Sequence, residues 1–223
     1  MPPLRFPNET AGYREARDEL LKAEIDLVAR IEEVAAMRRN LPPGGLLKED
    51  YAFEEMAADG QVRTVRFSEL FEGSKTSLFV YWFMYGPKME NPCVMCSSIL
   101  DGLNGNARHI AERVSLVVVA RSSIERIMAF AKPRGWNSLR LLSSAKNSYN
   151  ADYFGETAGG DQYPMANVFV RRGEAIRHFW GTDMLYAELD RQPRHMDLMW
   201  PLWNVLDTTP EGRGHDWYPS LNI

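Results

Sequence analysis

Apolar residues recur every three or four positions between Tyr13 and Arg39, with charged residues between them. Leu21, Ile25 and Val28 belong to this series. The spacing predicts an amphipathic helix, and the segment Leu41-Pro-Pro-Gly-Gly45 is expected to end it. Such a helix either packs on its own domain or forms a dimer. Both arrangements need the apolar stripe, so the stripe does not distinguish between them.

Two predominantly apolar runs later in the chain predict strands that are buried on both faces. They span Leu78 to Tyr85 and Val114 to Ala120, and neither alternates between apolar and polar residues. Upstream, the pair Asp59-Gly60 lies between two short β-rich runs and predicts a hairpin of residues 51–55 and 62–67.

The remaining pattern alternates between helix and strand. Helical spacing follows Cys96, and the S-x-x-E sequence from Ser122 to Glu125 predicts a capping box for a helix that runs to about Lys132. The other predicted elements are a helical turn at 68–73, strands at 139–143, 165–170 and 175–180, helices at 183–189 and 198–206, and a loop at 144–162.

This order of elements predicts an α/β fold. The strand–helix–strand part implies parallel strands joined by a right-handed crossover, and the late hairpin adds antiparallel strands. We therefore expect a mixed β-sheet flanked by helices at residues 46–223, preceded by an N-terminal helical extension at residues 1–45.

Composition narrows the classes of function. The chain has 223 residues with 26 Lys and Arg against 30 Asp and Glu, so it lacks the basic surplus typical of nucleic-acid-binding proteins. Its longest apolar run is far shorter than the ~20 residues of a membrane helix, and its N-terminus lacks the apolar core of a signal peptide. We expect no nucleic-acid or membrane partner, and a cytoplasmic location.

The only two cysteines form the motif Cys93-Val-Met-Cys96, between a predicted buried strand and a predicted helix. Because a helix N-terminus carries free N–H groups and partial positive charge, it stabilises a thiolate on the first cysteine. Cys93 is then the expected attacking thiolate, and Cys96, one turn inside, is expected to resolve the mixed disulfide. In a reducing compartment such a pair is typical of redox chemistry.

A zinc site and an unused pair are the alternatives to a redox dithiol. A structural zinc site needs four protein ligands, and the sequence has no second C-x-x-C and no H-x-x-x-H spacing. The further candidates for ligands are His109, His178, His195 and His215. We expect neither a metal nor a cofactor.

The order strand, C-x-x-C, helix, strand, helix, proline, strand, turn and strand resembles that of thioredoxin. The stretch from Tyr163 to Gly181 resembles the cis-proline hairpin of that family. The resemblance implies that Pro164 is a cis-proline facing the cysteines and that the backbone of Tyr163 pairs with the substrate. Without the resemblance, Pro164 fits a trans-proline at the start of an edge strand.

Nearly the whole chain resembles a bacterial thioredoxin-like family catalogued as domain of unknown function 899. The matching segments are Arg38-Arg39-Asn-Leu-Pro42, Lys48-Glu-Asp-Tyr-Ala-Phe53, the C-x-x-C motif with Asp101-Gly-Leu-Asn-Gly105, Ala120-Arg-Ser122, Arg134-Gly-Trp136 and Leu206-Asp-Thr-Thr-Pro-Glu-Gly-Arg213. The family implies a thioredoxin-like fold and dithiol–disulfide oxidoreductase activity, but it does not identify a substrate. From that activity we expect a disulfide-containing protein or a small thiol substrate as the partner.

Three departures from thioredoxin affect the chemistry. Pro92 stands where thioredoxin has a tryptophan, and Val94-Met95 replaces Gly-Pro between the cysteines, so the direction of electron flow stays open. The stretch from Phe79 to Phe83 lacks the aspartate that thioredoxin buries as a proton acceptor. Cys96 therefore needs another group or water for its proton.

Further side chains near the motif are weaker candidates for the site. Lys88 would favour a thiolate on Cys93 and Glu90 would oppose it, although both fit solvated loop charges. The others are Asp101 and Asn104, which fit either polar site residues or a helix surface, and Trp82, Trp136 and Trp180, which fit either a substrate cleft or the core.

The leading hypothesis is a thiol–disulfide oxidoreductase, with a homodimer as its expected assembly. In it Cys93 and Cys96 react, and Tyr163 and Pro164 bind the substrate. A thioredoxin-fold binding protein without turnover and a zinc-assisted module are the alternatives. A peroxiredoxin fits poorly, because the P-x-x-x-T-x-x-C motif would need proline and threonine where Gly86 and Glu90 stand.

Overall fold

The computed structural model describes residues 4–190, 194–214 and 217–221. The chain divides into two compact units, Met1–Pro42 and Pro43–Ile223. The backbone N–H of Leu47 donates to Ile176 O at 2.8 Å, and the N–H of His178 donates to Gly45 O at 2.9 Å. The segment that follows Pro43 is therefore hydrogen-bonded to the last strand of the second unit. The domain boundary after residue 45 stays a prediction.

The first unit contains a single long helix among its described residues, α1, at Ala11–Arg39. Its N-cap is Thr10, whose hydroxyl accepts the N–H of Tyr13 at 3.2 Å. No side chain of α1, a helix that is described throughout, is buried, and Ile25 and Val28 are each 60% exposed. The predicted helix is confirmed, and its role as a packing or a dimer-forming helix stays a prediction.

The second unit is built on a mixed sheet, which has seven strands within the described residues, in the order β2-β1-β5-β4-β3-β6-β7. The strands are β1 Ala52–Met56, β2 Val62–Arg66, β3 Ser77–Trp82, β4 Ser115–Ala120, β5 Arg140–Ser143, β6 Ala166–Arg172 and β7 Ala175–Gly181. The helices are α2 Val94–Ile110, α3 Ile124–Ala131, α4 Tyr149–Asp152 and α5 Pro201–Leu206, with 3₁₀ turns at Phe67–Leu70, Asp183–Tyr186 and Asp197–Met199.

Strand pairing gives this sheet a thioredoxin-like topology. Strands β3, β4 and β5 run parallel and are connected through α2 and α3. Strand β6 pairs antiparallel with β3, and β7 pairs antiparallel with β6 at the edge of the sheet. The β1–β2 hairpin joins the other edge through β5. The predicted mixed sheet, the thioredoxin-like order and both hairpins are confirmed.

The central strand β3 has one face toward each of two apolar cores. Leu78, Val80 and Trp82 pack in one core, and Tyr81 packs in the other core with Cys96 of α2. Successive side chains of a strand point to opposite faces. The register of β3 therefore sends the Tyr81 hydroxyl toward the start of α2.

Two local predictions are wrong. The N-cap of α3 is Ser123, whose hydroxyl accepts the N–H of Arg126 at 3.4 Å, whereas the buried Ser122 hydroxyl donates to Gly86 O at 3.3 Å. The predicted loop at 144–162 contains the short helix α4, which forms because the Tyr149 ring is buried in the core.

Gly155, which follows α4, is required by packing. A Cβ atom at this position would lie 1.9 Å from Cε3 of Trp82. The indole ring therefore lies directly against the backbone of residue 155, and this contact fixes the chain that leads toward Tyr163.

Candidate dithiol site

Cys93 is the N-cap residue of α2. Its backbone is extended, and its Sγ accepts the N–H of Cys96 at 3.5 Å. The N–H of Cys93 donates to Met84 O at 3.0 Å, and its carbonyl accepts the N–H and the hydroxyl of Ser97, each at 3.0 Å. These bonds hold the first thiol at the unsatisfied N–H end of the helix, as the sequence predicts.

The two thiols differ in their exposure. Cys93 is half-buried, whereas Cys96 lies one turn inside and is only 1% exposed. A disulfide substrate can therefore reach the first sulfur and not the second.

The electrostatic setting separates the thiols further. The pKa of Cys93 is lowered to about 6, mainly because the Cys96 thiol donates a hydrogen bond to it, and the backbone N–H groups of Cys96 and Met95 add to the effect against the cost of burial. Burial raises the pKa of Cys96, and the neighbouring Cys93 raises it further. The pair thus holds one thiolate and one thiol near neutral pH.

Alkylation should report this lowered pKa. Because the Cys93 pKa is about 6, the rate of alkylation by iodoacetamide should level off above pH ~6 and be lost as pH falls below it. A free thiol with a pKa of about 8.5 is only roughly 3% thiolate at pH 7, about 30-fold less than Cys93, but a thiolate of lower pKa is intrinsically less nucleophilic, by roughly tenfold here. We therefore expect Cys93 to react a few-fold faster than a free thiol at pH 7. Mass spectrometry after timed quenching measures the rate.

A matched variant identifies the cause of the shift. The Cys96→Ala protein lacks the thiol that donates to Cys93, so the inflection of its alkylation profile should move to higher pH. A wild-type inflection near the free-thiol value would contradict the proposed thiolate.

Tyr81 is a site residue that the sequence does not single out. Its hydroxyl is buried beside the Cys96 thiol, and as a potential donor to a Cys96 thiolate it lowers the pKa of Cys96 against the effect of burial. The hydroxyl oxygen has no hydrogen-bond partner of ordinary geometry among the described residues. Tyr81 lies in the stretch from Phe79 to Phe83, which lacks the buried aspartate of thioredoxin. Only the register of β3 shows that its hydroxyl faces Cys96.

Pro164 lies beside the cysteines, as predicted, but its peptide bond is trans. The described residues contain no cis peptide bond, so the cis-proline prediction is wrong. The trans form is the intrinsically favoured one, by ~0.5–1 kcal/mol. With this trans bond, the residues on either side of Pro164 make backbone hydrogen bonds. The N–H of Tyr163 donates to Gly155 O at 2.9 Å, and Met165 O accepts the N–H of Trp82 at 2.8 Å.

A cavity of about 340 Å³ opens at the two sulfur atoms. Pro164 and Leu185 line one part of it, and the segment 194–203 lines another. Trp200 anchors this segment, because its Nε1 donates to Ser98 Oγ of α2 at 3.2 Å. The remaining lining residues are Tyr81, Met84, Cys93, Met95, Cys96, Ile99, Arg194, His195, Met196, Asp197 and Trp203.

Arg126 of α3 holds the loop that leads into Cys93. Its guanidinium donates to Glu90 O at 3.1 Å, to Gly86 O at 3.4 Å and also to Met89 O, and it lies 4.5 Å from the ring centroid of Tyr85. The sequence gives no sign of this contact, since 30 or more positions separate the partners.

Asp101 and Asn104, the polar candidates on α2, bind the segment at residues 134–138 instead. Asp101 accepts from Trp136 Nε1 at 2.8 Å and pairs with Arg134, and Asn104 binds the backbone of Gly135 and Ser138. Trp82 and Trp136 are buried in the cores, and Trp180 lies on β7. Lys88 and Glu90 are not among the groups that set the Cys93 pKa.

The described histidines are dispersed. His178 Nε2 lies 2.6 Å from Asn167 Oδ1, His109 is exposed beside Glu112, and His195 lines the cavity, while His215 lies outside the described residues. Across the described ranges, no three His, Cys, Asp or Glu side chains are grouped so that they could hold a metal ion.

Within the part of the chain that the structure describes, no helix combines the length and the apolar character that crossing a membrane requires.

Three solved structures are similar to this chain at low identity. Peroxidoxin BcpB of Mycobacterium tuberculosis is 17% identical, with a TM-score of 0.46 over 75% of this chain and 99% of its own. Thioredoxin peroxidase I of Plasmodium yoelii is 14% identical, with a TM-score of 0.48 over 80% and 100%. AhpC of Enterococcus faecalis is 13% identical, with a TM-score of 0.47 over 79% and 98%. Similarity at this level says nothing about activity.

Sequence comparison gives the family. No curated protein matches this chain. The family described as "bacterial protein of unknown function (DUF899)" matches residues 4–222, which confirms the resemblance drawn from the segments between Arg38 and Arg213. The protein therefore belongs to the bacterial family DUF899.

Proposed function

We propose that this protein is a thiol–disulfide oxidoreductase in which Cys93 attacks a disulfide and Cys96 resolves the product. The observation that carries the proposal is the contrast between the two thiols. Cys93 is a half-buried N-cap that accepts hydrogen bonds, and Cys96 is a buried donor one turn inside the helix. The reaction needs this difference between the two thiols, because an accessible thiolate attacks the substrate and an inner thiol then releases the product.

The reaction has two displacements. The Cys93 thiolate attacks one sulfur of a disulfide R–S–S–R, forms a Cys93–S–R bond and releases one thiolate RS⁻. Cys96 then loses its proton and attacks Cys93 Sγ, which forms the Cys93–Cys96 disulfide and releases the second thiolate, and the Cys96 proton passes to a leaving thiolate. The substrate gains two electrons, and an external dithiol restores the enzyme.

Tyr81 supplies the hydrogen bond that the second displacement needs. Burial raises the pKa of Tyr81, so its hydroxyl stays protonated and can donate to a thiolate on Cys96. In this role a neutral donor replaces the buried acid that thioredoxin carries. A hydrogen bond to a charged group contributes about 1.5–3 kcal/mol.

Tyr163 and Pro164 are the proposed substrate-binding residues. Pro164 lines the cavity at the sulfur atoms, and the Tyr163 side chain is 37% exposed. Because the N–H of Tyr163 is bonded to Gly155 O, that group is not free to pair with a substrate, and the carbonyl of Tyr163 would make the contact.

The proposed setting is a reducing compartment such as the cytoplasm, with the protein as a homodimer. Free thiols at Cys93 and Cys96 suit reduction of substrates there. Exposed apolar residues of α1, among them Ile25 and Val28, support a dimer, because exposed apolar surface marks contact sites. The molar mass in solution from light scattering decides the assembly.

The test is a redox titration. The protein is equilibrated in mixtures of reduced and oxidised dithiothreitol, acid-quenched and alkylated, and its free thiols are counted by mass spectrometry. We expect both thiols to disappear together in one two-electron transition, about 30 mV per tenfold change in ratio, with a midpoint between about −300 and −120 mV. The Cys96→Ser protein is the control and should show no such transition. If the wild-type pair never forms a reversible disulfide, a binding protein without turnover becomes the better description.

A further inference from the structure

The cavity beside Cys93 and Cys96 is a built space with a mainly apolar wall. It measures about 340 Å³, near the lower end of the roughly 300–1,000 Å³ typical of small-molecule sites. Met84, Met95 and Ile99 face it from the side of the cysteines, and Trp200 and Trp203 face it from the C-terminal segment. This composition suits an apolar ligand body.

The charged residues of the wall are already paired. Arg194 bonds to Asp197 and, at 3.0 Å, to Asp207, and Asp197 also accepts from Arg213 at 2.8 Å. Among the described lining residues, the thiolate of Cys93 is therefore the one charge without an ionic partner. An anionic ligand would have to lose water without gaining an ion pair, and the Cys93 thiolate would repel it.

Two buried polar atoms in the wall lack a hydrogen-bond partner among the described residues, the Tyr81 hydroxyl beside Cys96 and Nε2 of His195. The Pro164 backbone raises the His195 pKa against the effect of burial. Because proline has no N–H, the Pro164 group is its carbonyl, and since Nε2 is without a partner we assign the ring N–H to Nδ1. In the neutral imidazole that burial favours, Nε2 is then a bare acceptor.

The C-terminal segment restricts access to this space. Met196, Trp200 and Trp203 are at most 7% exposed, and Trp200 bonds to Ser98 of α2. A disulfide within a folded polypeptide carries main chain on both sides of each sulfur and needs an open groove. A small disulfide does not, because it enters the cavity whole.

We propose that the substrate of this site is a small, mainly apolar disulfide without negative charge, whose hydroxyl or N–H donates to His195 Nε2. This substrate class rests on the function proposed above. The disulfide is reduced to two thiols while Cys93 and Cys96 are oxidised, and a dithiol reductant returns them to the thiol form.

A matched series of aromatic disulfides tests the substrate class. The probes are bis(4-hydroxyphenyl) disulfide, diphenyl disulfide without the donor, bis(4-carboxyphenyl) disulfide with charge, and insulin as a polypeptide disulfide. Dithiothreitol supplies the electrons, and each rate is divided by the uncatalysed rate with dithiothreitol alone. We expect the normalised kcat/KM of the hydroxyphenyl compound to exceed those of diphenyl disulfide, of the carboxylate and of insulin at least tenfold.

Two substitutions connect this preference to the cavity. Leu185→Trp fills the space and should raise KM for the hydroxyphenyl compound at least tenfold, without a change in the reduction potential of the cysteine pair. Leu189→Trp places the same change at a site that is 45% exposed and outside the wall, and it should change neither. His195→Phe keeps the ring but removes the acceptor, so the preference for hydroxyphenyl over phenyl disulfide should fall about tenfold.

The outcomes separate the two proposals. Turnover of insulin at a normalised rate equal to that of the hydroxyphenyl compound, unchanged by Leu185→Trp, would overturn the small-substrate inference and keep the oxidoreductase. Unchanged preference in the His195→Phe protein would overturn the role of Nε2. Absence of turnover with every probe, together with no reversible disulfide in the redox titration, would overturn the function and the inference together.

Discussion

Replacing Cys93 with serine is expected to lower disulfide turnover by at least about 10³-fold. Cys93 is the accessible thiol of the pair, and its lowered pKa of about 6 makes it the nucleophile. A serine hydroxyl stays protonated at neutral pH and forms no disulfide, so the first displacement cannot occur. Steady-state turnover of a small aromatic disulfide with dithiothreitol as the reductant measures the loss.

The Cys96→Ser protein is the matched variant, because it makes the same substitution three residues away. It keeps the attacking thiolate but cannot resolve the product, so it should accumulate a Cys93 mixed disulfide with one half of the substrate. Intact-protein mass spectrometry detects this adduct at a stoichiometry near one. The Cys93→Ser protein should form no adduct, because its remaining thiol, Cys96, is 1% exposed.

The opposite pattern would reverse the assignment. An adduct on Cys96 in the Cys93→Ser protein would make the inner thiol the nucleophile, and wild-type turnover by the Cys93→Ser protein without such an adduct would end the oxidoreductase proposal. Circular dichroism and thermal unfolding of both proteins show whether the fold is retained.

The elements that the sequence predicts well are those whose signal is local. The apolar runs around Leu78 and Val114 have no alternation and become the interior strands β3 and β4, which pair on both sides. Asp59-Gly60 marks a turn that joins β1 and β2. The position of Cys93 follows from the same logic, since a strand, a Gly-Pro loop and a helical pattern fix where α2 starts.

The wrong predictions concern choices between two nearly equal local states. Ser122 and Ser123 both offer a hydroxyl at the start of α3, and Ser123 becomes the cap because Ser122 is bonded to Gly86 of another loop. For Pro164 the cis and trans forms differ by only ~0.5–1 kcal/mol. Tertiary contacts decide in each case, and they are not visible in a short motif.

The cavity lies beyond any pattern in the sequence. His195 and Trp200 are about a hundred positions from the cysteines and carry no motif, yet the fold places both in the wall of the same cavity. Tyr81 lies within a run of aromatic residues whose spacing fits core packing. Only the register of β3 shows that its hydroxyl faces Cys96 rather than the opposite core.

Replacing Tyr81 with phenylalanine is expected to slow the second displacement by roughly ten- to a hundredfold. Burial raises the pKa of Cys96, so its thiolate is costly to form, and the Tyr81 hydroxyl is the neighbouring side-chain donor that stabilises it. Loss of a hydrogen bond to a charged group costs about 1.5–3 kcal/mol, which is a factor of about 10–150 in rate. Alkylation of Cys93 in the reduced protein should change much less.

Single-turnover kinetics separate the two displacements. The reduced protein is mixed with excess aromatic disulfide, and release of the first and second thiols is followed by absorbance. In the wild type the second release should accelerate as rising pH ionises Cys96. In the Tyr81→Phe protein the same acceleration should appear at higher pH, because the Cys96 thiolate has lost a hydrogen bond that lowers its pKa.

Tyr149→Phe provides the control for this experiment. Tyr149 is also fully buried, and its hydroxyl is likewise without a hydrogen-bond partner among the described residues, but it packs in the other core, with Tyr51 and Phe53. The two variants remove the same atom from equally buried rings, so a general effect on stability would appear in both. If Tyr81→Phe resolved its mixed disulfide as fast as Tyr149→Phe, with the same pH profile, the Tyr81 hydroxyl would have no part in the chemistry. A slow second release confined to Tyr81→Phe would instead identify this hydroxyl as the donor to Cys96.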